Sequence, residues 1–142
     1  MVITDVRLDR FECFRGLGSD ALAFLAANCR EMEVPSSELL IREGQVGQDI
    51  YLLEEGSVCV FRGEATASQS HLFLEAPTIL GEMAMVDPER IRTSSVIALS
   101  DLRLLRMPIA TFLVFARTYP ALKQNLLQII SARNLKLLAK MS

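Results

Sequence analysis

Residues 41–61 read IREGQVGQDIYLLEEGSVCVF. Two apolar runs, IYLL and VCVF, are separated by Glu54, Glu55 and Gly56, and a second glycine-punctuated turn, EGQVG, precedes them. Short β-branched and aromatic runs bounded by glycine are strands joined by tight turns. The same texture extends from residue 31 to 106, with LFL at 72–74, SVIAL at 95–99 and LRLL at 102–105, and with Gly63, Pro77 and Pro88 between them. Apart from residues 75–94, the stretches between these runs are too short for the crossover helices that parallel strands need. The spacing therefore predicts an antiparallel sandwich or barrel.

The flanks read as helix. LGSDALAFLAANCREM, residues 17–32, has Ser19 in position to cap a helix whose Leu22, Leu25, Ala26 and Cys29 share one face. PIATFLVFARTYP, residues 108–120, gives a second segment that ends at Pro120. ALKQNLLQIISARNLKLLAKM, residues 121–141, gives a third, with Leu122, Leu126, Ile129, Ile130, Leu137 and Leu138 in a wide stripe. A stripe of that width packs on its own barrel, on a partner, or on both. The expected organisation is one domain over 1–142: a helical lead-in over 1–30, a β-barrel over 31–106 and closing helices over 107–142.

Composition removes several classes of function. The chain has 142 residues, 51% of them hydrophobic and 23% charged, enough for a core without staples. A net charge of −2 gives no sign of a nucleic-acid-binding surface, which is usually basic. Cys13, Cys29 and Cys59 are odd in number and form no CxxC pair, as expected for reduced thiols in a cytoplasmic protein. The start MVITDVRLDRF is not a signal peptide, and no apolar run reaches the length of a membrane span. His71 is the sole histidine, too few for a jelly-roll metal enzyme; a histidine-assisted nucleophile would have to use it, and it reads instead as a strand or surface residue with no chemical role. There is no P-loop and no GxGxxG. No catalytic residue, metal or cofactor is expected, and the weight falls on binding.

The candidate site is GEMAMVDPERIRTSSV, residues 81–96. A carboxylate and an arginine stand at its two ends, with small hydroxyl residues after the arginine. Glu82 offers a charge-assisted acceptor for a ligand hydroxyl. An arginine grips an anion through two parallel N–H donors, a geometry lysine lacks. Gly81 lets the backbone approach closely. The bland alternative is a structural salt bridge between Glu82 and Arg92.

Together the two stretches resemble the cyclic nucleotide-binding domain family. Gly44, Tyr51, Gly56, Val58 and Val60 fall on its front-strand pattern, and Gly-Glu, three apolar residues, a short insert and Arg-small-small-Ser-Val resemble its phosphate-binding cassette. One departure lies in EAPTILGEM, residues 75–83, where Pro77 and Leu80 stand in a run that commonly carries glycine in the family. The resemblance implies a mainly β fold: an antiparallel jelly roll or barrel with N-terminal helices and a C-terminal lid and dimerisation helix. It implies a cAMP or cGMP sensor in which Gly81, Glu82, Met83, Ala84, Arg92, Thr93 and Ser94 meet the ligand. Glu82 takes the ribose 2′-hydroxyl and Arg92 the cyclic phosphate, with Arg90 as the alternative because the loop is a residue longer than in many relatives. Thr93 is a candidate for contact with the base. Arg133, Leu137 and Leu138 fall in the lid, and Leu126, Ile130 and Leu137 lie near heptad spacing for a parallel homodimer. No DNA-binding domain is expected after Ser142, so the chain is either a fragment of a longer regulator or a free-standing sensor with an unidentified effector. The rival expectation is a degenerate barrel that binds proteins and no nucleotide.

Overall fold

In the computed structural model, residues 5–63 and 71–141 are described, with the backbone alone at 5–6 and 135–141. The helices are α1 (Asp5–Leu8), α2 (Ser19–Ala27), α3 (Ile109–Thr118) and α4 (Pro120–Met141). The strands are β1 (Arg30–Val34), β2 (Leu39–Ile41), β3 (Asp49–Glu55), β4 (Ser57–Phe61), β5 (Leu72–Glu75), β6 (Thr78–Leu80), β7 (Ser95–Ala98) and β8 (Leu102–Pro108). They form two four-stranded sheets, in the orders β1-β8-β3-β6 and β2-β7-β4-β5, with every pairing antiparallel. The fold is thus a jelly-roll-like sandwich with flanking helices; the two sheets face each other without closing into a barrel.

Strand alternation divides the apolar residues into two cores. Side chains on a strand point alternately to its two faces. On β3, Leu53 enters the core between the sheets while Ile50 and Leu52 enter the core beneath the helices. On β8, Leu102 and Leu104 go inward and Leu105 and Met107 outward. The central strands β3 and β8 of the first sheet are therefore buried on both faces, which is why IYLL and LRLL read as continuous apolar runs. Phe11, Phe14 and Phe112 fill the outer core, with ring centroids 6.1 and 6.2 Å apart in successive pairs.

Two local expectations change. Ser19 is the first residue of α2 and Gly18 is its N-cap, with no side-chain bond to the free N–H groups. Leu126 and Ile130, the expected dimer seam, are buried within the monomer along with Leu122, because their helical spacing turns them onto their own fold. Asn125 fixes that docking by donating to the carbonyls of Cys13 (3.0 Å) and Arg15 (2.8 Å). Cys13, Cys29 and Cys59 are buried fillers; burial pushes the Cys13 thiol up and that of Cys29 to about 12.

Candidate functional site

β6 runs directly into the cassette. Gly81 turns the chain in the left-handed region (φ 84°), and Glu82–Met85 follow as a 3₁₀ turn. At the cassette's far end, the backbone is zipped to the loop of residues 44–47. Gly44 N donates to Arg92 O (2.9 Å), Arg92 N to Gln45 O (2.8 Å) and Gly47 N to Arg90 O (2.7 Å), and Val46 bridges Ile91. Arg92 is thereby held at the mouth of β7, and Thr93 and Ser94 lead into that strand.

These elements enclose one cavity between the two sheets and α4. Gly81, Glu82, Met83 and Ala84 line one side of it, and Arg92, Thr93 and Ser94 another. Ile41, Val60, Leu72, Leu74, Leu80 and Val96 supply an apolar wall, and Arg133 and Asn134 of α4 close it. Its volume is about 50 Å³, room for a few waters and well below the roughly 300 Å³ at which ligand pockets begin. A larger ligand needs the walls to part. Arg90, at φ 57°, is outside this lining, as is His71, whose ring stands edge-on to Phe61 and Phe73. Leu137 and Leu138 lie on α4 where side chains are outside the described residues.

Glu82 and Arg92 are both buried, 5% and 7% exposed, yet they do not pair with each other among the described residues. Glu82 Oε1 is 2.6 Å from Nη1 of Arg133. Arg133 also donates to Ile79 O (2.7 Å) and Thr78 Oγ1 (2.6 Å). Arg92 instead donates to the backbone: Nη2 to Asp49 O at 2.6 Å and Nη1 to Gly81 O at 3.2 Å, with its Cζ 5.9 Å from the ring centroid of Tyr51. Burial lowers the pKa of the guanidinium, with the nearby Tyr51, Asp49 and Glu82 opposing that shift. Arg62 Nε donates to Ser94 Oγ at 3.3 Å. The sequence places Arg133 in a lid but gives no sign of its partner, and it assigns no pocket role to Asn134, Asp49 or the apolar wall.

A buried carboxylate and a buried guanidinium, each held by its own partners, beside hydroxyls and an apolar wall, suit a ligand with a hydroxyl, an anionic group and a flat apolar part. The chain belongs to the cyclic nucleotide-binding domain family, whose model matches residues 31–119. It is similar to the cyclic AMP receptor protein of Thermus thermophilus, 27% identical over 121 residues that make up 84% of this chain and 56% of that one. It is also similar to the CRP-like cAMP-activated global transcriptional regulator of Mycobacterium tuberculosis, 25% identical over 130 residues, 91% of this chain and 58% of the relative. The chain thus spans little more than half the length of these relatives. Its fold matches the sensor domain of the transcriptional regulator DNR from Pseudomonas aeruginosa with a TM-score of 0.76, covering 91% of this chain and 87% of that one; at 19% identity, that likeness speaks for the fold alone. No helix among the described residues is long and apolar enough to cross a membrane, and no three His, Cys, Asp or Glu among them group to hold a metal.

Proposed function

We propose that the chain is a regulatory, non-catalytic cytoplasmic domain that senses cAMP or cGMP. The observation that carries this is the convergence of Gly81, Glu82, Met83, Ala84, Arg92, Thr93 and Ser94 on one cavity, with both charged side chains buried in it. Arg92 takes the cyclic phosphate and Glu82 the ribose 2′-hydroxyl. Thr93 meets the base edge, and the apolar wall accepts the ring. Because the cavity is too small as it stands, ligand entry shifts α4, which Arg133 joins to Glu82. The helix position then reports occupancy, as any ligand shifts a two-state element that it contacts differently in its two positions. A second copy meets α4 on the face left open, where Leu127 is half exposed. The effector is a further domain or protein.

Calorimetric titration with cAMP and with cGMP tests the proposal. Saturable one-to-one binding of either supports it. No heat with either, from folded protein, leaves the family's sandwich as a protein-binding module, the rival reading.

A further inference from the structure

We propose that Gly47 is a positioning residue that holds the Arg92 guanidinium in the orientation needed to take an anion. The inference rests on the reading of the cavity as a cyclic nucleotide site. Gly47 lies in the loop zipped to Arg90 and Arg92, and the Arg92 side chain folds back across it. A Cβ at residue 47 would stand 2.6 Å from Cζ of Arg92, 2.7 Å from Nε and 3.0 Å from Nη1. On the other side, a Cβ at Gly81 would stand 2.7 Å from Nη1. The guanidinium therefore occupies a slot between two residues without side chains. Its ends are fixed by the carbonyls of Asp49 and Gly81. Two of its five N–H donors are committed to those carbonyls, which leaves three for a ligand.

The two glycines differ in what they are for. Gly81 has φ 84° and its backbone favours glycine in any case. Gly47 has no positive φ, so an alanine there is conformationally ordinary, and what it would meet is the movable end of one side chain. A methyl group at 47 thus displaces the guanidinium and leaves the backbone in place. The expected signature is a binding defect without a folding defect.

The test is Gly47→Ala in the full chain. Calorimetry with cAMP should show a loss of about tenfold or more, the worth of one hydrogen bond to a charged group. Adenosine, which has the ribose and base but no phosphate, should bind both proteins alike. In an Arg92→Lys background the added alanine should cost nothing further. The NMR signal of the Arg92 Nε–H, read without ligand, should shift, while the variant stays folded with at most the modest drop in thermal midpoint that two displaced hydrogen bonds cause. Equal losses for cAMP and adenosine, persistence of the loss with Lys at 92, an unmoved Nε–H signal or an unfolded variant would each overturn the proposal. Wild-type protein that ignores cyclic nucleotides refutes the functional reading alone, and the Nε–H signal then decides the role of Gly47.

Discussion

Nη1 of Arg133 lies 2.6 Å from Oε1 of Glu82, and both side chains are nearly inaccessible to solvent. The contact joins the closing helix to the cassette, so the carboxylate that would read a ribose is already oriented by α4. Removing one member of a buried ion pair strands the other charge. Arg133→Ala should cost about 3–5 kcal/mol in urea unfolding. Combining Arg133→Met with Glu82→Gln should cost less than the sum of the single changes. Additive losses would show that the two groups do not depend on each other.

Glu82→Gln should weaken cAMP binding yet change the affinity of the 2′-deoxy analogue much less, because the acceptor has nothing to bind there. Titration of both proteins with both ligands closes the cycle. Additive losses would assign Glu82 to holding Arg133 alone.

Arg92→Lys should reduce cyclic nucleotide affinity by about tenfold or more, the loss of one charge-assisted hydrogen bond. Arg90, outside the cavity lining, should tolerate the same change. A larger loss at Arg90 would place the phosphate against the loop.

Assembly is decided by comparing two positions on α4. Leu127 is half exposed and Ile130 is buried. Leu127→Glu should lower the mass measured by light scattering to that of a monomer without lowering the thermal midpoint. Ile130→Glu should lower the midpoint, since a charge buried in an apolar site is costly. A wild type that is already monomeric, or a Leu127→Glu variant that keeps its dimer mass, removes α4 as the interface.

Much of this molecule is legible in its sequence because short apolar runs and glycine turns are local signals. The runs around Ile50 and Leu104 mark strands, and Gly81, Glu82 and Arg92 stand in an order that marks a cassette. Three features stay hidden for one reason: they depend on how distant elements dock. Glu82 finds its partner on α4. Gly47 matters through a side chain far along the chain, whereas in the sequence it is one more turn glycine. The stripe on α4 shows that Leu126 and Ile130 are apolar, but not whether a partner or the same fold covers them.

Among the described residues, β6 is the outermost strand of the first sheet, paired only with β3. Arg133 sets its donors on Ile79 O and Thr78 Oγ1 of that strand. One side chain of the closing helix therefore holds both the carboxylate of Glu82 and a strand at the rim of the sandwich, so a change at Arg133 should loosen the two together.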